Sequence, residues 1–369
     1  MRGSTAERSQ MNLPLRVVRS DRPQAETWAP DRALRYPEFR YMGSKHRLLP
    51  WLHSVLDRID FESALDPFCG SGCVAYLIKS MGRRVVATDF LNFPSVIAKA
   101  TIENNSHVLE GPVVKRLLAS APRTPSFIED TYAGIFYTRE DLRFLDRLWH
   151  NLRRLEHPHH RAMALAAVIR SCLKKQPRGV FTVSGDLASY DDGRRDLRLS
   201  LEEHFLEQIE IFNALVFHNG RRNRAERADV FEVRARNIDL VYLDPPYVPR
   251  SDDNCYVKRY HFLEGLSCYW EGMDIDYSTK VRKIPKRYTP FSYRRTAEDA
   301  FDRMFRRFRG KKIVLSYSSN GFPDLERLVE IMGRYKKDVS VYRKPHRYHF
   351  GTRQEARRNV VEEYLIVGI

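Results

Sequence analysis

The chain is poor in cysteine: five in 369 residues, at positions 69, 73, 172, 255 and 268, with no CxxC pair and an odd total. Neither a disulfide framework nor a zinc site follows from that spacing, and a reducing cytoplasm is the expected setting. No apolar run reaches the roughly 20 residues of a membrane span, and the N-terminus lacks the core of a signal peptide. A soluble, intracellular protein is therefore expected. The GxGxxG pattern and the Walker lysine are both missing, which excludes the common dinucleotide and P-loop fingerprints. Internal repeats and low-complexity tracts are missing too. Acidic residues are in deficit, with 47 Asp and Glu against 63 Lys and Arg and a net charge of +16. That excess is the footprint expected of a polyanion partner, most simply nucleic acid, with a generally basic soluble protein as the bland alternative.

Against these absences one stretch stands out, Asp244-Pro245-Pro246-Tyr247. It follows Leu240-Val241-Tyr242-Leu243, a short apolar run that reads as a buried strand of a parallel sheet. Open α/β sheets bind ligands outside the carboxyl ends of their strands, so a catalytic loop belongs there. The two prolines fix φ and remove two amide donors, leaving a stiff loop with outward carbonyls. A carboxylate, a free carbonyl at Pro245 and an aromatic face at Tyr247 suit a planar base carrying an amino group. Two acceptors take the amine hydrogens and the ring offers a stacking surface. A Pro-Pro turn with an incidental acid is the bland alternative.

Residues 1–35 are polar, contain proline and show no periodicity, so a loose tail is expected there. Tyr41-Met42-Gly43-Ser44-Lys45 then leads into apolar residues at helical spacing, Leu48 to Leu56. Such a turn can hold a carboxylate, or can simply start a helix with a solvated lysine. Ala64 to Leu77 reads as strand, tight glycine turn and helix, with Gly70 and Gly72 freeing the backbone to turn and approach a ligand. A second strand, Arg84 to Thr88, ends in Asp89, placed to accept hydrogen bonds from a ribose diol. From about 106 to 220 the pattern is helical and basic. Thr138 with Asp141, and Ser200 with Glu203, read as helix caps. Lys174-Lys175-Gln176-Pro177-Arg178 leads into Gly179 to Val183, a basic turn entering a strand that can enter a DNA groove or lie on the surface as a hairpin. Asp229-Val230-Phe231 marks one more strand end. Residues 251–312 interleave Lys, Arg and Tyr, a composition suited to a phosphate backbone and unstacked bases, or to a solvated face. Strands resume at Ile313 to Tyr317, Val339 to Tyr342 and Glu363 to Val367, with a helix from Asp324 to about Arg334.

Taken in order, Tyr41 to Lys45, Asp66 to Gly72, Asp89, Asp229 to Phe231 and Asp244 to Tyr247 resemble the Dam-type, alpha-group family of adenine-specific DNA methyltransferases. Phe350-Gly351-Thr352-Arg353 is a weaker match. The resemblance implies an α/β fold: a Rossmann-like S-adenosylmethionine-dependent methyltransferase sheet with a helical target-recognition insert. The catalytic domain would comprise residues 36–105 and 221–369, and the insert residues 106–220. It also implies S-adenosylmethionine as donor, with no metal, and double-stranded DNA as partner, with no obligate protein partner. Carried over, Tyr41 and Lys45 would contact the donor's methionine end. Asp66, Phe68, Gly70 and Gly72 would line its pocket, Asp89 would hold the ribose, and Asp229 with Phe231 the adenine. Asp244, Pro245, Pro246 and Tyr247 would be catalytic; apart from the resemblance, the basic turn itself offers Lys174, Lys175, Gln176 and Arg178 for reading DNA.

The implied reaction is methyl transfer to the N6 amine of a flipped-out adenine, in a bacterial restriction-modification or Dam-like enzyme working at the nucleoid. RNA adenine methylation is the nearest rival, and the basic insert favours DNA. Enzymes acting on the cytosine amine usually carry Ser in place of Asp244, and protein glutamine methylation normally has Asn there. A non-catalytic DNA-binding protein keeping the fold is the rival from another class, but every expected ligand position is filled.

Overall fold

The computed structural model describes residues 16–17, 29–177, 179–183, 193–248, 255–347 and 360–369. Eight strands form one sheet: β1 (Arg16–Val17), β2 (Ser63–Asp66), β3 (Arg84–Asp89), β4 (Arg224–Arg227), β5 (Leu240–Leu243), β6 (Lys312–Ser318), β7 (Val339–Arg347) and β8 (Val360–Gly368). Their order is β1-β7-β8-β6-β5-β2-β3-β4. Only the pairings of β8 with β6 and β7 are antiparallel; every other neighbour is parallel. The order reverses between β2 and β5, which makes the gap beyond their carboxyl ends the switch point where ligands bind in such sheets.

Among the described residues thirteen α-helices accompany the sheet. They are α1 (Asp31–Leu34), α2 (Leu49–Leu56), α3 (Cys73–Ser80), α4 (Asn92–Ala98), α5 (Gly111–Leu118), α6 (Phe127–Tyr132), α7 (Arg139–Leu152), α8 (Pro158–Lys175), α9 (Arg195–Arg198), α10 (Leu201–Leu215), α11 (Tyr256–Cys268), α12 (Arg294–Arg307) and α13 (Leu325–Gly333). Strand alternation sends Ala64, Val85, Leu240, Tyr242, Val314 and Leu365 into one core and Leu65, Val86, Val241, Leu243, Ile313 and Leu315 into the other. The second core is closed by α12 and α13. The first is far larger, because the apolar faces of α2 to α8, α10 and α11 all feed it. Both expected capping boxes form: Thr138 accepts from Asp141 N at 3.2 Å, and Ser200 from Glu203 N at 3.1 Å. Each satisfies donors that a helix start otherwise leaves open.

Three expectations need correction. Residues 1–35 are not uniformly a tail, since α1 forms and Ala29 and Ala33 are buried; α1 packs on α3. No strand forms at 180–183, where the chain bends and buries Phe181 against Phe136 and Phe262. The helical lobe also reaches beyond residues 106–220. Phe262 and Trp270, downstream of the Asp244 loop, pack edge and tilted against Tyr132 of α6. The match at Phe350 to Arg353 and the residue Arg178 lie outside the described residues.

Candidate active site

The carboxyl ends of three adjacent parallel strands each carry an aspartate: Asp89 on β3, Asp66 on β2 and Asp244 just beyond β5. Together with Tyr41 to Lys45, Phe68 to Ser71, Tyr242, Pro245 to Tyr247 and Tyr256 they line one cavity at the carboxyl edge of the sheet.

The turn between β2 and α3 is held from both sides. Asp66 accepts from Phe68 N at 3.2 Å, and Cys69 N donates to the Thr88 carbonyl at 3.0 Å. Gly70 has φ +48° and Gly72 φ +82°, a left-handed region in which side chains are strained. Space forbids a side chain as well. A Cβ on Gly70 would meet the Tyr41 ring at 2.9 Å, and one on Gly72 the Tyr36 hydroxyl at 2.7 Å. Asp89 closes the turn, accepting from Gly70 N at 3.1 Å and Leu91 N at 3.0 Å. Burial nonetheless pushes its carboxyl up to about 7, against the pull of those amides. Asp66 is likewise raised well above the carboxylate range, by burial and then by the neighbouring charge of Asp244.

Lys45 is the counter-ion of this group. It is almost wholly buried, and its ammonium donates to both Asp244 oxygens, at 2.9 and 2.8 Å, and to the Gly43 carbonyl at 2.9 Å. Burial opposes its charge, but Asp244 and Glu363 outweigh that and hold Lys45 above the ordinary lysine value. Burial raises Asp244 to about 6 even though Lys45 pulls it down. Tyr247 sits beside the pair: the Lys45 ammonium lies 4.9 Å from its ring centre, and Tyr317 packs edge-on at 4.8 Å. Its hydroxyl donates to Glu363 at 3.0 Å.

Most of the residues expected at the site converge here. Gly72, Asp229 and Phe231 do not line the cavity. Gly72 shapes the start of α3. Asp229 accepts from Phe231 N at 2.8 Å just past β4, and Phe231 stacks on Phe291, which meets the cavity residue Phe68 edge-on at 5.7 Å. Lys174, Lys175 and Gln176 lie elsewhere and are engaged. Lys174 pairs with Asp196 at 3.0 Å, Lys175 with the buried Asp141 at 2.6 Å, and Gln176 is buried. Their expected role as an open groove-reading turn is not what this geometry presents. Sequence reasoning missed Glu363, whose only signal was an acid inside the apolar run of β8, and Tyr242, a hydroxyl two residues before Asp244 on the same strand face.

The family model of the D12 class N6 adenine-specific DNA methyltransferases matches residues 41–308. The chain is 27% identical to the Type II methyltransferase M2.HphI of Haemophilus parahaemolyticus, over 90% of this chain and 98% of that one. It is 23% identical to the Type II methyltransferase M.NlaIII of Neisseria lactamica, over 80% and 88%. Against the modification methylase StsI of Streptococcus sanguinis the identity is 24%, and the chain spans about half of that protein's length. With β2 to β5, the glycine turn, Lys45 and the Asp-Pro-Pro-Tyr loop inside the matched segment, the chain belongs to the D12 class of N6 adenine-specific DNA methyltransferases, and it is an enzyme.

Proposed function

We propose that the cavity binds S-adenosylmethionine, with the methionine end toward Tyr41, Lys45 and Asp66 and the ribose toward Asp89, and that an adenine flipped out of duplex DNA enters on the Asp244–Tyr247 side. The observation that carries this reading is the charge count at the strand ends. Three buried aspartates face one buried lysine, so the cavity is short of positive charge and favours a cationic ligand. S-adenosylmethionine brings a sulfonium and an ammonium. Two further features support the fit. Gly70 leaves a cradle that a Cβ would fill, and the Tyr242 hydroxyl is buried on the cavity wall. Asp229 and Phe231, beyond the Phe68–Phe291 contact, would take the adenine end.

The donor supplies a methyl group activated by its sulfonium. The chain's own part is positioning and electrostatics. The adenine amine is a poor nucleophile because its lone pair is delocalised into the ring. Asp244 and the Pro245 carbonyl each accept one amine hydrogen, which favours a pyramidal nitrogen with its lone pair aimed at the methyl. Methyl moves from sulfur to nitrogen, the carbon–sulfur electron pair stays on sulfur, and the nitrogen then loses a proton. With a carboxyl near 6, Asp244 is ionised at neutral pH; Lys45 keeps it so in a site that would otherwise protonate it. Pro246 stiffens the loop, and Tyr247 offers its face to the extruded base.

The DNA face is proposed on residues 286–295 rather than on the turn at Lys174. Lys286, Arg287 and Tyr288 are exposed, and the Lys286 ammonium lies 5.6 Å from the Tyr288 ring centre. The Arg287 carbonyl receives the Cys255 thiol next to cavity residue Tyr256, so this basic, aromatic edge adjoins the mouth. The names of the relatives support a restriction-modification role in a bacterial cytoplasm. Incubation with methyl-labelled donor and duplex DNA, followed by digestion, should place the label on N6-methyladenine. Label on cytosine, on RNA alone or on protein would overturn the reading.

A further inference from the structure

Away from the catalytic cavity, four histidines crowd the start of α8: His157, His159 and His160, with His107 brought in from the loop after the π-helical turn Lys99–Glu103. The His107 and His157 rings stack with centres 3.8 Å apart, and His159 lies 5.3 Å from His107. We propose that His107, His157 and His159 form a binding site for a divalent transition metal of the zinc type, clipping the helical lobe to the edge of the catalytic sheet.

The geometry of the donor atoms carries this. One ring nitrogen from each of the three lies within 4.8 Å of the other two. A tetrahedral zinc with bonds of about 2.0–2.1 Å needs nitrogens about 3.4 Å apart, so modest ring rotations close the set. The tautomers are arranged for it. His159 Nε2 is 3.1 Å from the Glu103 carboxylate, while its Nδ1 is buried and lacks a hydrogen-bond partner among the described residues. An imidazole that donates to a carboxylate from one nitrogen presents a lone pair on the other, which is how metal-binding histidines are oriented from behind. A buried acceptor left without a donor is costly, and a cation removes that cost. His157 Nδ1 accepts from His159 N at 3.2 Å, capping α8, and His107 Nδ1 faces Ser106 Oγ at 3.3 Å. In both rings Nε2 remains for a ligand. Three nitrogens without a carboxylate in the first shell favour zinc, nickel or cobalt over calcium or magnesium.

The surroundings are built to hold such a clip. Asn104 fixes the His107 loop, accepting from His107 N at 2.9 Å and donating to its carbonyl at 2.7 Å. The second oxygen of Glu103 accepts from Ala225 N on β4 at 2.9 Å. A cation here would therefore join the loop, α8 and the edge strand that precedes Asp229. The cysteine spacing had implied no metal site, and it is silent here because His107 is distant in sequence from the His157-Pro158-His159 run.

The test uses the full chain without a histidine tag, stripped with chelator and titrated with Zn2+ by calorimetry and with Co2+ by visible absorption. The expected result is one ion per chain with a micromolar or tighter Kd, tetrahedral cobalt bands, and a Tm raised by Zn2+. The His107→Ala/His159→Ala double variant should lose all three, and Glu103→Gln should weaken binding by about 10- to 100-fold. Should the double variant not fold, zinc protection of the wild-type histidines from diethylpyrocarbonate, read by peptide mass, replaces it. Wild-type binding that persists in the double variant, or no protection of His107, His157 and His159, overturns the proposal.

Discussion

Two lysine–aspartate pairs sit in this chain in neighbouring but opposite circumstances. Lys45 and Asp244 meet at 2.8 Å at the mouth of the sheet; Lys175 and Asp141 meet at 2.6 Å where three helices join. Both pairs are largely screened from water, and both lysines lie in turns that the sequence alone marks as candidate anion- or DNA-binding sites. Their surroundings separate them. Asp141 is fully employed: it closes the capping box of α7, accepts from Leu201 N at 2.7 Å at the start of α10, and takes the Lys175 ammonium. Asp244 faces a cavity, shares Lys45 with two further buried carboxylates nearby, and is raised to about 6 by burial. A charge whose partners satisfy it within the fold is structural, whereas one left under-compensated beside empty space is a candidate for chemistry.

The sharpest break in this comparison comes from Asp244→Ala set against Lys175→Met. Asp244→Ala removes an acceptor that matters most as the amine pyramidalises. Single-turnover methyl transfer to duplex DNA should fall by roughly a hundred- to a thousand-fold, a much larger loss than any change in donor affinity. Lys175→Met leaves Asp141 buried with one donor fewer, so it should cost about 3 kcal/mol in urea denaturation while the rate per folded molecule stays put. Near-normal transfer by Asp244→Ala, or a rate loss in folded Lys175→Met, would erase the distinction.

Next in size is the pH dependence. Asp244 must be a carboxylate to accept the amine hydrogens, and its free-enzyme value is about 6. The acid limb of kcat/KM should therefore fall away as pH drops through 6, since that parameter reports the free enzyme. Lys45 lowers Asp244 relative to burial alone. Lys45→Met should move the limb upward by about 1–3 pH units, the usual effect of an opposite charge at contact distance. A limb that stays at 6 in the variant would mean that Lys45 does not set the ionisation of Asp244.

The two pairs also show how far the sequence could be read. The strand ends and their aspartates were legible because short β-rich runs followed by Asp, Gly or Pro have few other meanings, and the capping boxes because their pairing is local. Spatial partners were not legible. That Lys45 reaches Asp244, 199 residues away, and that Tyr247 reaches Glu363, depend on which strands neighbour each other. The ion pairs of the basic turn were hidden for the same reason: Asp196 and Asp141, which pair with Lys174 and Lys175, come from other segments. Composition suggested a charged surface, and tertiary packing spent those charges internally. The lobe boundary was missed because Phe262 and Trp270 join a helical core whose other members precede the catalytic strand.

The smallest expected effect concerns Lys174, the more open of the two basic-turn lysines, with about a quarter of its side chain exposed. Its ammonium shares Asp196 with Arg40, whose guanidinium lies 3.1 Å from the other carboxylate oxygen. A partly exposed pair of this kind contributes about 0.2–1 kcal/mol, and Arg40 remains to hold Asp196 when Lys174 is removed. Lys174→Ala should thus lower stability only slightly. DNA binding provides the discriminating measurement. A lysine that neutralises a phosphate releases a counterion, and its removal makes the slope of log K against log salt shallower by about one. A lysine already paired with Asp196 releases none, so the slope should be unchanged, as should the sequence preference of methylation. The matching change at the proposed DNA face, Arg287→Ala, should flatten the slope by about one. If the two variants exchange these behaviours, the DNA face belongs on the turn at the end of α8 and not beside the mouth.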